Sequence, residues 1–234
     1  MGIFANEACA VSQGPIAILG GTFNPIHNGH LRSALELCQR LGFVELRLMP
    51  AAQPPHRPLP DCPAEMRAAM VEQAVADEKN LLCDRRELSR RGPSYTIDSL
   101  VESRAELGPL VSVSLVVGAD AVTALASWHR WQELTDFAHI VVIARPGWDI
   151  PTEGVVGEWL QRHLTSDLAT LQHEPCGGVY VETLTPLAIS SSEIRRQIAA
   201  GESPRYLLPD VVWHTIQSAG LYGHSAESQE QNRE

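Results

Sequence analysis

Residues 16–19, 44–49, 111–117 and 140–144 are apolar almost without interruption, and the segments between them carry apolar residues at helical rather than alternating spacing. Continuous runs of this length suit strands buried on both faces, as in a parallel sheet; half-exposed antiparallel strands alternate apolar and polar positions. Helical patterns cover 30–41, 64–76, 96–107 and 119–131, with Leu31, Leu35, Leu37 and Leu41 marking the first. This strand–helix alternation predicts an α/β fold, a Rossmann-like doubly wound parallel sheet. Further along, 155–164, 191–200 and 209–219 read as helices and 179–181 as a short strand. No internal repeat or linker breaks the series. Residues 15–223 are therefore expected to form a single domain, between a flexible N-terminal extension at 1–14 and a flexible polar tail at 224–234.

In such a sheet the ligand sits beyond the carboxyl ends of the strands. The loops there read GGTFNPIH, PAAQPPHRP, GAD and ARPGW. The first leads into the segment 20–30, GGTFNPIHNGH. Gly20 and Gly21 allow close approach of backbone to a ligand, Pro25 stiffens the turn, and the helix is expected to begin near Asn28, with His27 and His30 flanking its first turn. Free backbone N–H groups and the positive end of the helix dipole favour an anion there. By spacing alone, the two histidines fit a surface pair, a metal pair or donors to phosphate oxygens.

A second element lies at 187–196, LAISSSEIRR. Ser190 followed by Glu193 is a capping box, which opens many helices that bind nothing. Ser190, Ser191 and Ser192 also offer hydroxyls beside a helix start, where Arg195 can reach the same anion. Arg196 is turned about 100° away around the helix.

Composition narrows the classes. The 234-residue chain is 44% hydrophobic and 20% charged, enough for a substantial core. Its 18 Lys and Arg against 28 Asp and Glu give a net charge of −10, which argues against broad nucleic-acid binding. Lys79 is the only lysine and Asn80 follows it, so no Walker A motif exists. No GxGxxG follows the first strand, which counts against a dehydrogenase. Cys9, Cys38, Cys62, Cys83 and Cys176 are scattered without a CxxC pair, suggesting neither a disulfide framework nor a zinc ribbon but a reducing cytoplasm. No export, lipidation or transmembrane signal, hence no membrane partner, is expected.

Residues 20–30 resemble the GxFxPxHxGH signature of the HxGH nucleotidyltransferases, which join a nucleotide to a phosphate-bearing acceptor and release pyrophosphate. Residues 189–195 are similar to that family's ISSTxxR signature, with Ser192 at the Thr position. The resemblance runs from about Ile16 to Tyr222 and is close to the bacterial nicotinate mononucleotide adenylyltransferases. PPHRP at 54–58, RGPSYTIDSL at 91–100, GADAV at 118–122 and the pair Trp128–His129 carry it further.

The resemblance implies the nucleotidyltransferase type of fold. It also implies transfer of an adenylyl group from ATP to nicotinate mononucleotide, with Mg²⁺ carried by ATP and no metal ligands from the chain. His27, His30 and Arg195 are then the catalytic candidates. Gly20, Gly21, Thr22, Phe23, Arg57, Ile189, Ser190, Ser191 and Ser192 are candidates for the ATP phosphates. Thr96, Gly118, Asp120, Trp128 and His129 are candidates for the mononucleotide, with the indole stacking on the pyridine ring and nearby backbone N–H groups binding its carboxylate. Many relatives have Tyr at the position of His129, a change that spares a backbone contact but not a side-chain one. Trp128 and Trp131 also suit ordinary packing, and Asp120 a helix cap. Nicotinamide mononucleotide or phosphopantetheine as acceptor, or a non-catalytic sensor of NAD-like ligands, are the alternatives. Arg85, Arg86, Arg90 and Arg91 read as a solvated basic loop that could also draw in anionic substrate.

Overall fold

The computed structural model describes residues 14–53, 60–90, 92–144 and 148–224. The strands are β1 (Ile16–Gly21), β2 (Glu45–Pro50), β3 (Leu81–Cys83), β4 (Val113–Gly118), β5 (His139–Ala144) and β6 (Val179–Thr183). They form one sheet in the order β3-β2-β1-β4-β5-β6, every pair parallel. The helices are α1 (Asn28–Leu41), α2 (Ala64–Val75), α3 (Arg86–Ser89), α4 (Thr96–Leu107), α5 (Ala119–Thr123), α6 (Leu134–Phe137), α7 (Gly154–His163), α8 (Leu168–His173), α9 (Ser191–Ala199) and α10 (Asp210–Ser218).

The continuous apolar runs are explained by burial on both faces. Ala17 points into a core shared with Leu37 of α1, Met70 of α2, Ile194 of α9 and Trp213 of α10, whereas Ile16 and Ile18 point into a second core with Leu100 of α4, Leu134 of α6 and Trp159 of α7. Every predicted strand and all but one predicted helix is present, to within one or two residues at most ends. β3, α3, α6 and α8 were not expected: each spans six residues or fewer, too few for a period to register.

The segment 119–131 departs from its expectation. It is not one helix: α5 ends at Thr123, a 3₁₀ turn covers Leu125–Ser127, Trp128 is extended and Arg130 is left-handed at φ 51°. A second 3₁₀ turn, Trp131–Glu133, leads into α6. Val122, Leu125 and Trp131 are drawn into the core while His129 and Arg130 stay in solvent, a division that one straight helix does not provide. Tertiary packing overrides the helical spacing here.

Strand order reverses between β1 and β4, so the loops after Gly21 and Gly118 diverge and leave a crevice at the carboxyl edge.

Candidate active site

The loop between β1 and α1 is held from behind. Arg67, only 1% exposed, reaches from α2 to the carbonyls of Thr22, Ala51 and Cys62, tying the loops after β1 and β2 together. Arg195 of α9 donates from Nη1 to the Asn24 carbonyl at 2.7 Å, and the Ser191 hydroxyl donates to the Pro25 carbonyl at 2.9 Å. The Tyr222 hydroxyl donates to Asn24 Oδ1 at 2.7 Å. With its carbonyls bonded to surrounding elements, the loop is fixed before any ligand arrives. Phe23 adopts a left-handed backbone at φ 46° and buries its ring, the edge meeting His30 at a centroid distance of 5.1 Å. A Cβ on Gly21 would lie 2.8 Å from that ring, so Gly21 serves the packing of Phe23, whereas Gly20 faces open space.

α1 starts at Asn28, as expected, and its cap is His27, whose Nδ1 accepts from the His30 backbone N–H at 3.4 Å. The two imidazoles stack at 3.6 Å with planes 21° apart. Gly29 permits this, since a Cβ there would meet His27 Nδ1 at 3.0 Å. The surface-pair alternative fails because His27 is 5% exposed, and the shared cap leaves its Nδ1 already used. Burial lowers the His27 pKa to about 4. Burial, with a smaller contribution from the neighbouring His27, lowers that of His30 to about 3. Both rings are thus neutral at pH 7, so each carries one N–H donor and no standing positive charge. His30 Nδ1 has no hydrogen-bond partner.

In the second element, Ser190 caps α9 by accepting from the Glu193 N–H at 3.2 Å. The reciprocal half of the expected capping box is not formed, because the Glu193 carboxylate binds Arg196 and Gln197. Arg196, paired with Glu193 and Glu202, is turned away from the loop that Arg195 contacts.

A cavity of about 560 Å³ occupies the crevice, a size that suits a small ligand. On the β1 side Gly20, Gly21, Thr22 and His30 line it; on the β4 side Gly118, Asp120, Trp128 and His129 do, with Thr96 from the start of α4. The α4 cap, Tyr95, supplies no side-chain bond to the helix start, which leaves N–H donors available beside Thr96. His27, Phe23, Ile189, Ser190, Ser191, Ser192 and Arg195 are not part of the lining. Phe23, Ser191 and Arg195 instead secure the loop and its histidines. Arg57 and His56 lie outside the described residues.

Several contributors escaped the sequence reading. Tyr95 packs its ring 4.6 Å from that of His129, the Ser94 hydroxyl accepts from the N–H groups of Ala52 and Gln53, and Glu87 puts a buried carboxylate against the cavity. The expected solvated basic loop is in fact helix α3 and its flanks. Arg85 pairs with Glu65 and Glu72, Arg86 with Asp84 and Glu106, and Arg90 with Glu102, so these charges are spent within the protein; Arg91 lies outside the described residues. Among the described residues no cluster of three or more His, Cys, Asp or Glu is placed to hold a metal ion, and no helix is long and apolar enough to cross a membrane.

A family model described as cytidylyltransferase-like matches residues 18–197. A protein of Aeromonas salmonicida named "Probable nicotinate-nucleotide adenylyltransferase" is 46% identical over 212 residues, covering 90% of this chain and 98% of the relative. A protein of Aeromonas hydrophila with the same name is 47% identical over 210 residues, covering 89% and 97%. Among solved structures, the nicotinic acid mononucleotide adenylyltransferase of Plasmodium falciparum complexed with NaAD superposes with a TM-score of 0.68 at 18% identity, covering 90% of this chain and 98% of that one. That likeness shows a shared α/β fold, and the family model and the relatives identify it as the nucleotidyltransferase type.

Proposed function

The chain belongs to the nicotinate-nucleotide adenylyltransferase family of cytidylyltransferase-like proteins, and from that membership we infer that it transfers the adenylyl group of ATP to nicotinate mononucleotide. The products are deamido-NAD and pyrophosphate. The observation that carries the reading into this molecule is the cavity itself, in which His30 on one wall faces an aromatic and helix-start wall on the other.

A phosphate oxygen of the mononucleotide attacks the α phosphorus of ATP, the bond from that phosphorus to the bridging oxygen breaks, and pyrophosphate leaves with the electron pair. Phosphate is already nucleophilic at pH 7, so positioning and charge stabilisation suffice. His30, neutral through burial, donates an N–H hydrogen bond to an α-phosphate oxygen. His27 holds the start of α1 and the adjacent ring in place. Gly20, Gly21, Thr22 and the fixed loop provide the phosphate approach. Arg195, which also holds the Asn24 carbonyl, and the Ser190 to Ser192 turn with Ile189 are assigned to the leaving pyrophosphate from beside the cavity, and Arg57 is assigned to the ATP phosphates by the resemblance alone. Trp128 stacks on the pyridine ring, the N–H groups beside Thr96 and His129 take its carboxylate, and Gly118 with Asp120 takes the ribose. ATP enters as its magnesium complex, the metal belonging to the substrate and bound by phosphate oxygens and water.

A cytoplasmic setting is supported by Cys38, Cys62, Cys83 and Cys176, all free thiols. The test is pyrophosphate release from ATP with a panel of acceptors. Turnover with nicotinate mononucleotide, well above that with nicotinamide mononucleotide or phosphopantetheine, is expected; nucleotide binding without pyrophosphate release overturns the reading in favour of a sensor.

A further inference from the structure

Among the described residues three buried side-chain polar atoms lack a hydrogen-bond partner, and two of them, His30 Nδ1 and Glu87 Oε2, belong to residues that line the cavity. His30 has a role in the transfer as proposed above. Glu87 has none. It is 7% exposed, and its Oε1 accepts from the Ser99 hydroxyl at 2.7 Å, which fixes the carboxylate and leaves Oε2 unmet. Behind it, Arg90 Nη1 lies 3.3 Å from the same Ser99 oxygen and is ion-paired with Glu102, so this cation is engaged elsewhere. No Lys or Arg is among the described residues that line the cavity.

Placement matters as much as the missing partner. Glu87 and Trp128 share the lining of a recess of about 60 Å³ adjoining the cavity, whose other walls include Met49, Leu100 and Val117. Asp120, the second carboxylate of the cavity, does not line that recess. A carboxylate oxygen in apolar surroundings with no partner is costly, and a ligand that brings positive charge to it removes the cost. An indole face attracts the same charge.

We propose that Glu87 is a specificity-determining residue that, with Trp128, selects a cationic pyridinium ring. The inference rests on the acceptor assigned above, a mononucleotide whose ring nitrogen is quaternised by the ribose and so carries a permanent positive charge. The ring's own carboxylate is a different group, directed to the N–H groups at the start of α4; the two ends of the ring require opposite partners, and Glu87 supplies the negative one.

The test compares nicotinate mononucleotide with its ring-reduced dihydropyridine counterpart, which keeps ribose, phosphate and carboxylate but has a neutral ring. Binding is measured by calorimetric competition with a non-hydrolysable ATP analogue present. The wild-type protein is expected to prefer the cationic ring by roughly tenfold or more, and Glu87→Gln, which keeps an acceptor for Ser99, to bring the ratio close to one with unchanged affinity for the ATP analogue. An unchanged ratio overturns the proposal. So does an equal loss for both ligands, which would make Glu87 an acceptor for ribose hydroxyls. A wild-type ratio of one does so without any variant. If Glu87→Gln does not fold, Glu87→Asp, which withdraws the charge by one methylene, is expected to lower the ratio. Pyrophosphate release by the wild-type protein separates the two readings: preference for the cation without turnover overturns the assigned reaction, and turnover without preference overturns the role of Glu87.

Discussion

On the β1 side of the cavity, the carbonyls of Thr22, Asn24 and Pro25 are bonded by Arg67, Arg195 and Ser191, and the His27 and His30 rings stack inside that frame. On the β4 side, Trp128 and His129 stand between two 3₁₀ turns, with a left-handed Arg130 and an exposed His129. The first wall is rigid before substrate arrives and suits charge stabilisation, where donors must already be in place as charge develops. The second offers an aromatic face and a helix start that suit recognition, where contact is made equally in ground and transition states and registers in KM.

Replacing His30 is the severest way to break the rigid wall. His30→Ala is expected to keep its circular dichroism spectrum and melting transition and lose roughly 10²- to 10³-fold in kcat, as for other single donors to developing charge; near-normal turnover of the folded variant removes His30 from the mechanism. Arg67→Met attacks the frame. It strands the carbonyls of Thr22, Ala51 and Cys62 and is expected to cost about 3 kcal/mol in urea unfolding, with kcat falling alongside.

Trp128→Ala tests the other wall, with an expected rise of roughly tenfold or more in the KM for the mononucleotide, the kcat and the KM for ATP changing little. A kcat loss as large as that of His30→Ala would erase the contrast.

Acidification separates the walls in another way. His27 and His30 have folded pKa values near 4 and 3, below the unfolded value of 6.5, so the unfolded chain binds protons that the folded chain refuses. Stability is therefore intact above pH 6.5 and falls as pH drops toward 4, by about 1.4 kcal/mol per pH unit for each imidazole. Urea midpoints between pH 7.5 and 5 measure this, and the double variant with Gln at both positions is expected to flatten the slope to the part left by His139, whose pKa burial also lowers. The smallest effect is that of Tyr222→Phe, which removes the hydrogen bond to Asn24 Oδ1. About 1 kcal/mol of stability and a severalfold loss in kcat, with the KM for the mononucleotide unaffected, are expected.

The two walls also differ in how far they could be read from the amino acids. The strands β1, β2, β4 and β5 were legible because burial on both faces leaves a run that is mostly apolar, broken in β2 by Glu45 and Arg47 and in β4 by Ser114. The histidine loop was legible because its glycines, proline and helix start act over eleven adjacent residues, 20–30. The Trp128 wall was legible only in its residue types. Its backbone is not the one helix that its spacing suggests, since helical spacing in 119–131 does not reveal that Val122, Leu125 and Trp131 must all turn to the core. Arg67, Tyr222 and Glu87 gave no local signal. The partners that place them lie 12 to 198 residues away, Ser99 for Glu87, Ala51 and Thr22 for Arg67 and Asn24 for Tyr222.

Local chemistry thus determined the strands of the parallel sheet, the start of α1 near Asn28 and the residue types gathered in the loop before it, because periodicity and turns depend on neighbours in sequence. Tertiary structure alone decided that His27 is buried and His30 half-buried, that their imidazoles are stacked and neutral, that Arg195 reaches the Asn24 carbonyl, that the Arg85, Arg86 and Arg90 charges are consumed in ion pairs, and that one oxygen of Glu87 is left unmet in the recess it shares with Trp128. Desolvation and long-range hydrogen bonding depend on what surrounds a side chain in space, and only the folded chain supplies that.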